Sequence, residues 1–248
     1  MTDHTEPTAD ALLELRGVRA GYGIIDVLHG VDLRVEQGQV FALLGPNGAG
    51  KSTTLGVASG QIHPTSGRLM VSGRELNGVR PDVLARAGVC LVPEGRGIFP
   101  NLTVAENIRM MTYAGVSYSD VRDRAYEQFP RLQERRRQLA GTLSGGEQQM
   151  LAMARALSTD PALLMLDELS MGLAPIIVEE LYEQVGQLAR NGLSILIVEQ
   201  FAQTVLGVAD TAAIMLHGRI QRTGPPAEIA EELTAAYLGI ETPSGGDH

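Results

Sequence analysis

The chain has 248 residues, enough for one large domain, or for a core with a smaller lobe, built around a full hydrophobic core. With 44% hydrophobic and 20% charged residues, its composition is that of an ordinary globular protein. The formal net charge of −9 argues against a broad nucleic-acid-binding surface. The single cysteine, Cys90, excludes an internal disulfide and suits a reducing cytoplasm.

The sequence shows no membrane-targeting pattern. Residues 1–7 are polar and acidic, unlike a secretory signal peptide, and no apolar run approaches the roughly 18 residues that a membrane helix needs. We therefore expect a soluble protein that works at a membrane only by docking onto other subunits. We expect residues 12–241 to form the folded domain, and residues 1–11 and 242–248 to be disordered tails.

Two kinds of strand pattern follow along the domain. Segments 13–18 and 31–35 alternate apolar and polar residues, which predicts half-buried antiparallel strands near the N-terminus. Three further segments are nearly continuous apolar runs, namely Val40–Leu44, Ala162–Leu166 and Leu193–Val198. Such runs are typical of strands covered on both faces, as in a parallel sheet with flanking helices.

A helical lobe is predicted in the middle of the chain. Residues 104–157 have a mostly helical pattern with breaks at Pro130 and at Gly145-Gly146, and they contain no strong strand candidate. We interpret them as a helical subdomain, approximately residues 100–157, inserted into an α/β core. After the third apolar run, residues 212–222 predict a late β-hairpin around a two-residue turn.

One short segment, residues 45–52, predicts phosphate binding. It fully matches the pattern G-x-x-x-x-G-K-[ST] and lies between an apolar strand and a helix-compatible run. Glycines let backbone N–H groups approach phosphates without Cβ clashes, and the positive end of the following helix attracts the anion. Lys51 is expected to reach the β- and γ-phosphates, and the Ser52 hydroxyl to ligate Mg²⁺. The alternative is a glycine-rich turn that happens to contain a lysine. The predicted ATP-binding residues are Gly45, Pro46, Asn47, Gly48, Ala49, Gly50, Lys51, Ser52 and Thr53.

Two acidic residues, Asp167 and Glu168, follow the second apolar run. The carboxyl ends of the strands are where ligands of open α/β sheets bind. Asp167 is expected to hold Mg²⁺ through a water molecule, and Glu168 to act as the general base that polarises the attacking water. The alternative reading is that these acids only cap the following helix.

A second glycine-containing segment, with the pair Gly145-Gly146, marks the start of an amphipathic helix. Two glycines at a helix start leave backbone donors at the positive end of the helix, which is a second phosphate-binding device in the same chain. We call this segment the signature; its residues are Leu143, Ser144, Gly145, Gly146 and Glu147.

Over nearly its whole length, the sequence carrying these motifs resembles the ATPase subunits of ABC transporters. The resemblance implies a P-loop NTPase (RecA-like) α/β core with a mainly parallel sheet, an N-terminal antiparallel β subdomain and an inserted helical subdomain. It also implies a head-to-tail dimer, in which Ser144, Gly145 and Gly146 of one subunit contact the ATP held by the other. Tyr22 falls where the family stacks an aromatic ring on adenine; the alternative is an ordinary strand aromatic.

Finer features resemble one subgroup, the smaller ATPase of the branched-chain amino acid importers. They lie in residues 92–100, 129–132, 146–150, 170–175 and 198–200. The resemblance implies an importer subunit, peripheral on the inner face of the cell membrane. Its implied partners are a second ABC ATPase, in a hetero- or homodimer, transmembrane permease subunits and, indirectly, a solute-binding protein, with no nucleic acid.

Three positions depart from the common family pattern. Glu94 replaces a glutamine in the loop that enters the helical lobe, where it is a candidate Mg²⁺ ligand or water-orienting group, or else a solvated loop acid. Gln200 replaces the histidine that contacts the γ-phosphate, and it supplies an amide donor without a cation. Leu169 replaces a proline after Glu168, so the ring no longer fixes φ in this turn.

Other functions stay open at this point. The rivals are a soluble ABC ATPase acting on DNA or ribosomes, a non-catalytic partner in a heterodimer, and an ABC ATPase for export, lipids, or amide- or urea-type solutes. The acidic composition and the lack of long inserted coiled coils weigh against the first rival. The run Arg135–Arg137 is interpreted as a solvated helix face, with docking to acidic loops of a membrane partner as the alternative.

Overall fold

The computed structural model describes residues 11–95, 97–200 and 202–238. The predicted tails lie outside these residues, apart from Ala11, which begins the first strand one residue before the predicted start of the domain. In chain order the elements are β1 (Ala11–Tyr22), β2 (Ile25–Glu36), β3 (Val40–Leu44), α1 (Lys51–Ala58), β4 (Ser66–Val71), β5 (Arg74–Glu75), α2 (Pro81–Arg86), β6 (Val89–Val92), α3 (Val104–Arg109), α4 (Tyr118–Gln128), α5 (Pro130–Glu134), α6 (Gly145–Leu157), β7 (Leu163–Asp167), α7 (Pro175–Arg190), β8 (Ser194–Glu199), α8 (Ala202–Leu206), β9 (Thr211–Leu216), β10 (Arg219–Gly224) and α9 (Pro226–Leu238).

An antiparallel sheet of four strands, in the order β2-β1-β4-β5, is built mainly from the N-terminal part of the chain. Its two long strands pair as a hairpin that ends at Tyr22 and Ile25. The two alternating segments lie in these strands, so the predicted antiparallel β subdomain is confirmed. Strands β4 and β5 complete the sheet and were not predicted.

The main sheet has six strands in the order β10-β9-β3-β8-β7-β6. Five of them are parallel, and β10 runs antiparallel to β9. The three apolar runs became the central strands β3, β7 and β8, whose residues are all buried. The late hairpin is also confirmed: both turn residues, His217 and Gly218, have positive φ (47° and 71°), as two-residue turns between twisted strands require.

Helices α3 to α6 form the predicted helical lobe. The break at Pro130 is where α5 begins, with the proline in its first turn, where no backbone N–H is needed. Gly145 and Gly146 do not interrupt a helix; they are the first two residues of α6. The interpretation of Arg135–Arg137 as a helix face is wrong, because α5 ends at Glu134 and these arginines lie in the turn that follows.

Two hydrophobic cores cover the two faces of the main sheet. Alternate residues of β3 point to opposite cores: Val40, Ala42 and Leu44 pack with the helical lobe and α7. Phe41 and Leu43 pack with the antiparallel sheet and α1. This double coverage explains why β3 is apolar at every position. No helix among the described residues is long and apolar enough to cross a membrane.

Candidate functional site

The phosphate loop joins the end of β3 to the start of α1. Two of its glycines are required by close packing: a Cβ on Gly45 would lie 2.3 Å from the Met215 carbonyl oxygen, and one on Gly50 would lie 2.9 Å from Leu28 Cδ2. Gly50 also has a φ of 106° and is the residue before α1. Only glycine adopts this path without strain.

The N-terminus of α1 is left open. No side chain caps it, and its first turn contains no acidic residue. The first N–H groups of a helix need partners outside the helix, and their positive end attracts anions. The helix therefore presents uncapped donors where the sequence predicted phosphate binding.

Lys51, the only lysine in the chain, is 4% exposed at the centre of this region. Its Nζ donates to the carbonyl oxygens of Gly45 (2.9 Å) and Pro46 (3.2 Å), and it forms an ion pair with Glu168 Oε1 at 3.4 Å. The ammonium group is thus fixed over the loop and directed at the predicted base.

Ser52 and Asp167 are brought together from positions 115 residues apart, with Ser52 Oγ donating to Asp167 Oδ1 at 3.3 Å. The pKa of Asp167 is raised to about 6, chiefly by burial and in addition by the nearby charges of Glu168 and Glu94. The hydrogen bond from Ser52 and the charge of Lys51 oppose this shift. The site holds excess negative charge, which a cation would relieve.

Glu168 follows the end of β7 in an unusual backbone conformation. Its φ of 49° is left-handed, which costs a non-glycine residue free energy and occurs mainly in turns and functional sites. Its N–H donates to the Val198 carbonyl oxygen at 2.9 Å, and its carbonyl oxygen accepts from Met171 N at 3.2 Å. The turn aims the side chain back at Lys51.

The remaining predicted ATP contacts lie in three separate segments. Gln200 lines one cleft with Asn47 and Glu168. Glu94 is exposed in the loop after β6, and its charge acts on Asp167. Tyr22 is 57% exposed at the end of the β1–β2 hairpin. Its ring is accessible for stacking.

The signature begins α6 with a complete capping box. Ser144 Oγ accepts from the Glu147 backbone N–H at 3.4 Å, and Glu147 Oε2 accepts from both the N–H and the hydroxyl of Ser144 at 2.9 Å. Glu147 also pairs with Arg135 Nε at 2.5 Å. Leu143 is buried, and a Cβ on Gly146 would lie 2.4 Å from Ile177 Cγ2. The head of α6 is therefore packed against α7, while Ser144 stays exposed.

One group of site residues was missed by the sequence reasoning. Glu199, the last residue of β8, is 1% exposed and accepts hydrogen bonds from Ser170 and Tyr182. It lies in segment 198–200, which resembles the importer subgroup, and its own signal was an acid at the end of an apolar strand, next to Gln200. That signal has the same form as the one carried by Asp167.

The comparisons with known proteins agree with this geometry. The ABC transporter family model matches residues 28–170. The chain is 43% identical over 232 residues to the high-affinity branched-chain amino acid transport ATP-binding protein BraG of Pseudomonas aeruginosa, covering 92% of this chain and all of that protein. It is 37% identical over 218 residues to a relative from Archaeoglobus fulgidus described as a probable branched-chain amino acid transport ATP-binding protein, LivF, covering 86% and 92% of the two chains.

Solved structures show the same fold. A nucleotide-free ATP-binding cassette from an ABC transporter is 25% identical and superposes with a TM-score of 0.81, covering 94% of this chain and all of that one. The family model spans more than half of the chain, and the relatives cover nearly all of it. The chain therefore belongs to the ABC transporter family, as an ATP-binding and ATP-hydrolysing subunit.

Proposed function

We propose that this chain is the ATP-hydrolysing subunit of an importer for branched-chain or other hydrophobic amino acids, peripheral on the inner face of the cell membrane. The identity to BraG over the whole of that protein supports the solute class. The observation that carries the mechanism is the pair of contacts joining the phosphate loop to the end of β7. These are Ser52 to Asp167 at 3.3 Å, and Lys51 to Glu168 at 3.4 Å.

The residues around Ser52 fit a magnesium ion bound together with ATP. Hydroxyl and carboxylate oxygens are the donors that Mg²⁺ prefers, and it is commonly held by one or two carboxylates plus substrate phosphates. Among the described residues, no His, Cys, Asp and Glu side chains are grouped into a metal site of their own. In our proposal Ser52 ligates the ion, Asp167 holds it through water, and Glu94 is a third candidate oxygen ligand. The bound ion neutralises charge on the phosphates.

The Lys51–Glu168 ion pair suggests how the base becomes available. Lys51 is held by two carbonyl oxygens and one carboxylate, and phosphate oxygens are stronger partners for an ammonium group. When Lys51 turns to the β- and γ-phosphates, Glu168 loses its cation and its carboxylate is free to accept a proton from water. Gln200, in the same cleft, donates an amide hydrogen bond to the γ-phosphate.

The signature supports a shared ATP site. Ser144 is exposed, so its hydroxyl is accessible to a second subunit. In our proposal two subunits of this kind, identical or different, bind two ATP molecules between them, with Tyr22 stacked on adenine. Closure of this dimer, transmitted through the helical lobe and the Glu94 loop, drives the permease subunits. Hydrolysis then reopens the dimer.

Glu168→Gln tests the assignment of the base. The amide keeps the size of the side chain but cannot accept the proton, so we expect ATP hydrolysis to fall at least about 100-fold while ATP binding is kept. The ATP-bound dimer should accumulate and be visible by size-exclusion chromatography. Glu183→Gln, on the exposed face of α7, is the matched control and should hydrolyse ATP normally. Normal turnover by Glu168→Gln would show that another group is the base.

The solute class is tested by transport. Cells that lack this subunit should lose uptake of labelled leucine, isoleucine and valine, and the wild-type chain should restore it, whereas the Glu168→Gln variant should not. Unchanged uptake of all three amino acids in the deletion strain would refute the branched-chain assignment and favour another solute, or export.

A further inference from the structure

Glu199 is a buried acid that the mechanism above does not use. Its side chain is 1% exposed, and burying a carboxylate is costly unless donors surround it. Three neutral donors do so here: Ser170 N at 2.9 Å and Tyr182 OH at 2.7 Å meet Oε1, and Ser170 Oγ meets Oε2 at 2.9 Å. Such a costly group, satisfied on both oxygens, fixes the geometry of the elements that it joins.

The first element that it fixes is the turn after β7. Glu168 is in the left-handed region, and Leu169, which follows it, has no proline ring to restrict φ. Two hydrogen bonds hold the turn from the neighbouring strand β8: Glu168 N donates to the Val198 carbonyl, and Ser170 N donates to the Glu199 carboxylate. The strained residue is thus held on both sides by consecutive residues of β8.

The second element is α7, through Tyr182. Burial chiefly, and then the charge of Glu199 and the hydrogen bond to it, raise the pKa of the Tyr182 hydroxyl well above its usual value. The hydroxyl therefore remains a donor at any pH at which the protein works. Since Gln200 follows Glu199 directly, one carboxylate links the turn that carries Glu168, the helix α7 and the residue that we propose contacts the γ-phosphate.

We propose that Glu199 is a positioning residue for ATP hydrolysis, holding the turn of Glu168 in its left-handed conformation so that the base points into the ATP site. The inference rests on the proposed role of Glu168 as the base. Without this support, the backbone of Glu168 relaxes toward a commoner conformation, and its carboxylate leaves the position from which it meets water. The phosphate loop has its own contacts, so ATP binding is kept.

The test compares two substitutions of similar size. Glu199→Met removes all three acceptor contacts and leaves the hydroxyls of Ser170 and Tyr182 without their partner. Glu199→Gln keeps Oε1 as an acceptor, and its amide can donate to the Ser170 hydroxyl, which both donates and accepts. We expect Glu199→Met to lower kcat about tenfold or more, with KM and Kd for ATP within about threefold of wild type. Glu199→Gln should recover kcat to within about threefold.

Two further variants keep the proposal open to refutation. Tyr182→Phe removes a single donor and should lower kcat by a smaller factor, which provides a readout if Glu199→Met does not fold. In a Glu168→Gln background, Glu199→Met should lower the residual rate no further, because the group that it positions is already absent. A wild-type kcat for Glu199→Met, or equal losses in kcat and ATP affinity, would overturn the positioning role. Glu168→Gln with normal turnover would instead overturn the proposed function.

Discussion

Two helices of this protein begin at glycine-containing segments, and their first turns are completed in opposite ways. Helix α1 follows Gly50, has no side-chain cap and no acid in its first turn. Helix α6 follows Ser144, which forms a full capping box with Glu147. The first N-terminus is left open for an anion, and the second is satisfied by its own chain.

This difference indicates different requirements at the two proposed phosphate-binding segments. In our proposal Lys51 and the uncapped N-terminus of α1 bind ATP within one subunit. At α6 the Ser144 hydroxyl already donates to Glu147, so binding a phosphate there requires that this hydrogen bond be exchanged. Glu147 also places a negative charge beside the segment, and Arg135 offsets it. We infer that ATP is first bound at α1, and that the contact at α6 forms only on closure.

The largest effect is expected at the open helix. Lys51→Gln removes the only lysine of the chain, and with it the cation that we propose contacts the phosphates. A charged hydrogen bond of about 2–3 kcal/mol corresponds to about a 100-fold loss of ATP affinity, measurable by calorimetry. Arg74→Gln, at an exposed position of β5, is the charge-matched control.

An independent measurement is available because Lys51 is the only side-chain amine. Amine-directed reagents can modify only Lys51 and the α-amino group; because Lys51 is 4% exposed, its labelling without ATP should be slow, and bound ATP should slow it further. Labelling of Lys51 that is indifferent to ATP would contradict its place at the phosphates.

The second effect concerns the metal-binding side of the same site. Asp167→Asn keeps the shape of the side chain but removes the charge that we propose holds Mg²⁺ through water. Changing such an outer ligand typically costs 10–100-fold in metal affinity or activity, so we expect a loss in this range at fixed Mg²⁺. Raising the Mg²⁺ concentration should partly restore hydrolysis, and chelation should abolish it in the wild type. If Asp167→Asn hydrolyses ATP with an unchanged Mg²⁺ requirement, Asp167 does not hold the ion.

The third prediction uses a second capping box as an internal control. Thr103 and Glu106 cap α3 in the same way as Ser144 and Glu147 cap α6. Ser144→Ala and Thr103→Ala should each lower the free energy of unfolding by about 1 kcal/mol, measured by denaturant titration. Only Ser144→Ala should also lower ATP hydrolysis, by about tenfold, because it removes the hydroxyl that we propose donates to the phosphate. Equal hydrolysis by the two variants would mean that Ser144 only caps its helix.

The phosphate loop and the central strands could be located from the sequence because their patterns are local. The phosphate loop is one continuous segment, and β3, β7 and β8 are apolar at nearly every position because both faces of the main sheet are covered. Strand β6 was missed because it has only four residues, two of them partly exposed. Strand β5 has two residues, and its pairing depends on contacts that no local pattern specifies.

Contacts between residues far apart in the chain could not be predicted from local sequence patterns. The ion pair between Arg135 and Glu147 depends on the turn after α5, and the same arginine run fits a solvated helix face equally well in the sequence alone. The partners of Glu199 lie 17 and 29 residues away, on a helix and in a turn. An acid at the end of an apolar strand has the same pattern whether it meets a metal ion or a tyrosine.

The smallest effect is expected at Glu147 itself. Partial burial disfavours its charged form, but the backbone and side-chain hydrogen bonds from Ser144 and the charge of Arg135 outweigh burial and lower the pKa of the carboxyl. A carboxyl whose pKa is lowered in the folded state stabilises the fold at pH values above its pKa in the unfolded state. This contribution is lost as the pH falls through the pKa of the folded state. Glu147→Gln should therefore be less stable than wild type at neutral pH by about 0.5 kcal/mol.

Two measurements on Glu147→Gln, the pH dependence of its stability and the ATP dependence of its hydrolysis, test the comparison between the N-termini of α1 and α6. In denaturant titrations the difference from wild type should shrink as the pH falls below 4.5, the ordinary value for glutamate. Removing the Glu147 carboxylate also leaves the start of α6 without an acidic residue, as at α1. Half-maximal hydrolysis should therefore need about twofold less ATP. Arg135→Gln leaves Glu147 unneutralised and should shift the ATP requirement in the opposite direction. A shift in the same direction for both variants would show that charge at the signature does not control its contact with ATP.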